Sequence, residues 1–197
     1  MHTRHLTPAA ALAVPAPTDA AVAMTMREVG GDVVLTASGT LNVDALMPSS
    51  VIAAEGGFIN PRFLSGSVRV GADSPNAYFI DGYFGGITGG GPFGNGGATA
   101  ADFGTGDLFD ASNTGMFDDP DLPPKLLVPE GYVSGDFFSG TATWQDATFD
   151  SLGVTPGTYT WSWGSGATAD SLTLVIPEPT AGCLIAGAGV LLLRRRV

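Results

Sequence analysis

The sequence predicts an all-β domain, a single β-sandwich of jelly-roll type, followed by a short apolar helix at the C-terminus. Three features of the composition support the β prediction. The 197 residues include 29 glycines and 14 prolines, only 14% of the residues are charged, and 44% are hydrophobic. Glycine and proline at this frequency disfavour long helices and mark many turns. The hydrophobic fraction is too high for a chain that stays unfolded.

Short segments with the alternation of a strand follow one another from about residue 32 to residue 176, without an amphipathic helix between them. Pro129-Glu130-Gly131 and Pro156-Gly157 predict turns between neighbouring strands. Glycine dominates residues 85–106, which predicts a long surface loop. Closely spaced short strands are typical of a sandwich or jelly roll. The predicted strands cover residues 33–36, 41–43, 67–70, 78–80, 126–128, 132–138, 141–144, 158–163 and 172–176.

The charge of the chain is strongly negative. It contains 8 basic and 19 acidic residues, for a formal net charge of −11. Between residues 27 and 176 the imbalance is larger, with 4 basic against 17 acidic residues, a net charge of −13. Such a body repels phosphate backbones and anionic lipid headgroups. We therefore expect no nucleic-acid partner.

The chain lacks the residues of most catalytic sites. His2 and His5 are the only histidines and Cys183 is the only cysteine, so residues 6–177 contain neither type. This excludes serine triads, thiol nucleophiles, imidazole acid–base catalysis and histidine-ligated zinc from the body. A glycosidase needs only two carboxylates, but nothing in the spacing marks any pair of acids as such a dyad. We therefore expect a protein that is not an enzyme and holds no cofactor.

An aspartate-rich segment is the candidate metal site in the sequence. Clustered carboxylates suit calcium, which extracellular domains often bind. The spacing of these aspartates matches no known calcium loop, so a solvated acidic loop is the favoured interpretation. The aspartates are Asp102, Asp107, Asp110, Asp118, Asp119 and Asp121.

A row of aromatic residues, Tyr159, Trp161 and Trp163, recurs with the period of a strand and so lies on one face. An exposed row of this kind could stack on sugar rings, whereas a buried row would belong to the core. Trp144 has the same two interpretations. The core interpretation is favoured, and carbohydrate contact through these four side chains is the alternative.

The C-terminus differs from the rest of the chain. Pro177, Glu178 and Pro179 predict a stiff, extended spacer. Residues 180–193 carry no charge, and Arg194, Arg195 and Arg196 follow directly, an arrangement that halts an apolar segment and favours a cytoplasmic end. A helix over residues 180–193 rises about 21 Å, against a hydrocarbon core of roughly 30 Å. A transient anchor fits this length better than a permanent span. The alternative is a buried helix with a solvated arginine tail.

The segment VIPEPTAGCLIAGAGVLLLRRRV resembles the PEP-CTERM sorting signal, in which a Pro-Glu-Pro tripeptide precedes a short apolar helix and a terminal arginine cluster. The stretch PGTYTWSWGSGATADSLTL is similar to one that precedes this signal in many proteins of that family. The resemblance implies that an exosortase in the inner membrane recognises Pro177, Glu178 and Pro179 and cleaves nearby. It also implies export to the surface of a Gram-negative bacterium that makes extracellular polysaccharide, as in biofilms.

Export requires a signal at the N-terminus. Residues 1–23 contain Arg4, an apolar stretch at residues 9–14 and an Ala21-Val22-Ala23 triplet that resembles a signal-peptide cleavage site. A disordered leader rich in alanine and proline, or a misplaced start, is the alternative. The predicted organisation is thus a leader (1–23), a β-sandwich body (24–176) and a sorting and anchor segment (177–197).

The sequence-based prediction of function is an exported cell-surface or matrix protein, processed by exosortase, with a structural or interaction role linked to exopolysaccharide. The alternative is a carbohydrate-binding module that uses exposed tryptophan and tyrosine side chains on a sheet face.

Overall fold

The computed structural model describes residues 21–49, 52–54, 56–62, 66–72, 78–113 and 123–178. Within these ranges the chain forms two sheets, and the predicted all-β class is confirmed. The predicted C-terminal helix, Pro179 and the three terminal arginines lie outside the described residues, as does the leader up to residue 20. Within the described part of the chain, no helix is long and apolar enough to span a bilayer.

The first sheet has seven strands. In spatial order they are β10 (Phe103–Gly106), β13 (Phe137–Trp144), β2 (Asp32–Thr40), β1 (Ala21–Val29), β15 (Asp170–Ile176), β14 (Gly157–Trp163) and β8 (Thr88–Gly89). All neighbours are antiparallel except β1 and β15, which are parallel. A parallel pair at the centre of the sheet departs from the antiparallel pattern of the predicted jelly roll.

The second sheet has eight strands. In spatial order they are β3 (Met47–Pro48), β7 (Tyr78–Phe84), β12 (Lys125–Pro129), β11 (Phe109–Ser112), β6 (Ser67–Val70), β5 (Phe58–Asn60) and β9 (Thr99–Ala100), and β4 (Ile52–Ala54) also pairs with β7. Alternate residues of both sheets point into one shared core. Met24, Leu35 and Leu174 reach it from the first sheet, and Val68 and Leu126 from the second.

The chain enters and leaves the first sheet at opposite ends. Ala21 pairs with Ser171 and Thr25 with Val175, so the start of β1 lies beside the start of β15. The end of β15 at Ile176 therefore lies near the β1–β2 hairpin, at the other end of the sheet. We call the hairpin end the exit end and the opposite end the far end.

The sheet begins earlier than the predicted boundary at residue 24. β1 starts at Ala21, and the side chain of Val22 is only 1% exposed. The triplet Ala21-Val22-Ala23, expected to mark a cleavage site, therefore lies in β1: all three residues pair with β15, and Ala23 also pairs with β2. The sequence predicts no strand before residue 33, because the alanines at the start of β1 carry little strand signal of their own.

The glycine-rich segment at residues 85–106 is not simply a surface loop. It contains β8, β9 and β10, and Phe93 within it is fully buried in the core. Its glycines permit close backbone approach: a Cβ on Gly90 would lie 2.0 Å from the indole of Trp161, and one on Gly96 would lie 1.8 Å from the carbonyl oxygen of Leu152. The glycine content thus reflects packing against the core.

The single helical turn α1 (Phe149–Leu152) is also absent from the elements that the sequence predicts. Thr148 accepts a hydrogen bond from the Ser151 N–H, and the Ser151 side chain bonds back to the Thr148 backbone, which completes a capping box. Phe149 and Leu152 are buried in the core. The turn is too short to produce a helical period in the sequence.

Candidate functional site

The aromatic row of β14 faces the core. Trp161 is 0% exposed and Trp163 is 3% exposed, and Tyr159 packs partly buried against the same cluster. The Trp163 indole N–H donates to the carbonyl oxygen of Asn42 at 2.7 Å, and the Tyr159 hydroxyl donates to that of Thr155 at 2.9 Å. Tyr159 also makes an edge contact with Phe93, with ring centroids 5.8 Å apart. These contacts are those of a core row.

Trp144 at the end of β13 is buried in the same way. It is 2% exposed, and its indole N–H lies 3.4 Å from the carbonyl oxygen of Thr99. None of the three indole rings therefore offers a face for stacking on a sugar in this fold. Carbohydrate contact through Trp144, Tyr159, Trp161 and Trp163 has no support from their positions.

Three of the aspartates that suggested calcium, Asp102, Asp107 and Asp110, each contact a different group of the protein. Asp102 accepts from the Gln145 N–H at 2.8 Å, Asp107 accepts from the Ser139 N–H at 3.0 Å, and Asp110 pairs with Arg69. Each carboxylate thus has a structural partner of its own. No group of three or more potential metal ligands occurs in the part of the chain that the structure describes. Asp118, Asp119 and Asp121 lie outside it.

The far end of the sandwich is held by a polar network between two loops and the first residue of β15. The hydroxyl of the buried Tyr132 accepts from the Leu41 N–H at 2.7 Å and donates to the Asp136 carbonyl oxygen at 2.8 Å. The Asn42 N–H donates to a carboxylate oxygen of Asp170 at 2.5 Å, and the Val43 N–H donates to the Ser134 hydroxyl at 3.0 Å. Burial raises the pKa of Tyr132. The network satisfies loop backbone groups, so its polar side chains serve the structure.

Asp170 gives this network a measurable pH dependence. Burial raises the pKa of its carboxyl group above 3.8, although the N–H groups of Asn42 and Ser171 lower it in part. The folded state therefore binds the proton more tightly than the unfolded state, and ionisation of Asp170 costs stability above the raised pKa.

We expect the unfolding free energy of the wild type to increase relative to that of Asp170→Asn as the pH falls from 7 towards 4. Urea unfolding of both proteins at a series of pH values measures this difference. A difference that is constant, or that moves the other way, would contradict the assignment.

The second sheet carries a buried ion pair on the side away from the shared core. The guanidinium Nε of Arg69 lies 2.8 Å from a carboxylate oxygen of Asp110, whose side chain is only 2% exposed. The Ser67 hydroxyl lies 3.4 Å from the same oxygen, and the Arg69 guanidinium lies 5.6 Å from the centre of the Phe58 ring. Burial lowers the pKa of the neighbouring Lys125. The cluster neutralises a buried acid, which makes it structural.

The predicted sorting motif begins where the core ends. Ile176, which is 1% exposed, is the last residue of β15 and pairs with Gly157. Pro177 and Glu178, the next two residues, are both exposed. The chain therefore passes from the buried core to solvent within one residue, and the first two residues of the tripeptide are accessible from outside.

The exit end around this point is acidic. Three carboxylates there accept backbone N–H groups: Glu28 from Phe149 at 2.6 Å, Asp32 from Asp146 at 3.0 Å, and Asp102 from Gln145.

In comparisons with protein-family models, with curated proteins and with solved structures, the chain has no match.

Proposed function

We propose that the chain is an exported surface or matrix protein that an exosortase processes at Pro177-Glu178-Pro179, and that its body has a structural or interaction role. The observation that carries the proposal is the position of the tripeptide. It follows the last core residue directly, so cleavage there leaves every strand of the body intact.

The chemistry of the junction suits a protease substrate. A protease binds its substrate as an extended chain, and proline provides no N–H for a sheet ladder, so Pro177 ends β15 and keeps the following residues out of the sheet. The exposed Glu178 therefore lies in a segment that is not paired in a sheet. The acidic exit end repels anionic headgroups, which favours a body that stands away from the bilayer once it is anchored or released.

The C-terminal mass of the mature protein tests this proposal. We expect truncation near Pro177–Pro179 in a host that contains its exosortase and an intact arginine tail in the same host without the enzyme. Glu178→Ala should block truncation with the enzyme present and leave the melting temperature unchanged, because Glu178 is exposed and lies beyond the last strand. An intact tail in both hosts would overturn the proposal.

Binding through Trp144, Trp161, Trp163 and the partly buried Tyr159 is not proposed, because these rings pack against the core. A binding role instead requires a solvent-facing surface, which the first sheet provides on its other side.

A further inference from the structure

Serine and threonine occupy most of the outward positions of the first sheet, where Ala23, Val29, Val34 and Val175 also lie. In each strand these residues alternate with buried core residues, so their side chains share one solvent-facing surface. We call this surface the hydroxyl face. Its members are Thr25, Thr36, Ser38, Thr40, Thr88, Thr105, Ser139, Thr141, Thr143, Thr158, Thr160, Ser162, Ser171 and Thr173.

The strand register aligns these side chains in straight rows. One row runs through Thr105, Thr141, Thr36 and Thr25 on four adjacent strands. Neighbours within a row are about 4.8 Å apart, and successive rows are about 6.7 Å apart along the strands. The hydroxyl face is therefore a regular grid, which suits a ligand that is itself a repeating polymer.

Four of the hydroxyl groups are held by bonds to one another before any ligand binds. Those of Thr105 and Thr141 lie 2.8 Å apart, and those of Thr160 and Thr173 lie 3.2 Å apart. β-Branched side chains have few rotamers available, so ordering them on binding costs little entropy. Each hydroxyl can both donate and accept a hydrogen bond. Such a surface matches a partner with closely spaced hydroxyl groups.

The hydroxyl face is nearly free of charge although the chain carries −11. Among the outward positions of its strands, the charged side chains are Arg27 and Asp32, both at the exit end. One cation and one anion leave no net charge to attract an ionic polymer. Serine is also depleted at protein interfaces, which argues against a second copy of the chain as the occupant.

Two exposed phenylalanines flank the hydroxyl face. Phe103 is 53% exposed and pairs with Thr143, and Phe137 is 69% exposed and pairs with Thr40. Their positions along β13 are about 20 Å apart. An aromatic ring on a polar surface provides an apolar plane against which the C–H face of a sugar ring can stack.

We propose that the hydroxyl face binds a neutral polysaccharide, with its threonine and serine hydroxyls bonding to sugar hydroxyls and with Phe103 and Phe137 stacking on sugar rings. This inference names a ligand class for the proposed surface protein. It rests on the proposed function, because only an exported body would meet such a polymer. It names a surface of different residues from the buried aromatic row.

Affinity electrophoresis of the purified full-length protein tests the inference. The probes are three neutral polysaccharides (hydroxyethylcellulose, dextran and galactomannan) and one acidic polymer (alginate). We expect a neutral gel to retard the wild type, and Phe137→Ala and Thr141→Lys each to weaken binding about tenfold. Val133→Ala is the matched control, since Val133 is 64% exposed but lies outside the hydroxyl face, and should bind as the wild type does.

Melting temperatures serve as the folding control. We expect all variants to melt as the wild type does, because the substituted side chains are exposed or partly exposed. Migration unchanged by all three neutral gels, equal binding by the face variants, or retardation by alginate alone would each overturn the inference. Light scattering that shows a dimer converted to a monomer by Thr141→Lys would assign the face to a second copy instead. Binding is measured without exosortase, so failure of the sorting proposal leaves this result unaffected.

Discussion

Replacing Trp161 by alanine is expected to destabilise the domain by about 3–5 kcal/mol. The indole is fully buried in the first sheet, where Trp161 pairs with Leu172 and the backbone of Gly90 lies close against the ring. Truncation would leave a large cavity that the surrounding strands cannot fill. Small domains have a total stability of about 5–15 kcal/mol, so the variant could lose most of it.

Urea unfolding of the wild type and the variant measures this loss. Ser162→Ala is the matched control, because Ser162 is the next residue of β14 and points to solvent, and its cost should stay within about 1 kcal/mol. Trp161→Phe should fall between the two. Equal stability of Trp161→Ala and Ser162→Ala would show that the ring does not support the core.

This result also decides how carbohydrate binding can be tested. Loss of binding in a Trp161 variant would report unfolding, since the side chain is inaccessible to a sugar. The exposed Phe137 can be substituted without that ambiguity.

Replacing Arg69 by methionine is expected to cost about 3 kcal/mol. The substitution leaves the Asp110 carboxylate buried without its guanidinium partner, and breaking a buried pair on one side costs about 3–5 kcal/mol. The lower end applies because Arg69 is 18% exposed and Lys125 remains nearby to compensate part of the charge. Urea unfolding gives the difference.

The double variant Arg69→Met/Asp110→Leu separates two free-energy terms: the cost of leaving Asp110 buried without a partner, and the stabilisation that the ion pair itself provides. Removing both charges eliminates the buried acid, so the double variant should recover most of the stability that Arg69→Met loses. A double variant as unstable as the sum of the two single variants would mean that the two side chains contribute independently and that the ion pair itself adds no stability. Asp110 would then have a role beyond its neutralisation.

The sequence determined the class of the fold and much of its strand content. The alternation of hydrophobic and polar residues placed strands at 33–36, 67–70, 158–163 and 172–176, because one face of each strand is buried and the other is wet. The same alternation did not assign 41–43 or 132–138 correctly, because β2 ends at Thr40 and residues 41–43 form no strand. In the segment 132–138, Tyr132 is buried in a loop, where its hydroxyl accepts a hydrogen bond from the Leu41 N–H. Strand β13 begins only at Phe137.

The aromatic row shows the limit of pattern alone. Its period established that Tyr159, Trp161 and Trp163 share a face, but the period does not show which face of the strand is exposed to solvent. The packing of a second sheet against that face decided the matter. The same packing defined the hydroxyl face, because threonines scattered over seven strands form a grid only when strands distant in sequence are paired.

The sequence by itself determined the absence of histidine and cysteine from the body, the acidic charge and the tripeptide with its apolar tail, since these properties depend only on composition and order. The tertiary structure alone decided that β1 begins at Ala21 beside β15, that a glycine-rich segment lies against the core, and that Asp110 is paired with Arg69. Each of these rests on contacts between residues far apart in the chain, and contacts of that kind leave no local pattern in a sequence.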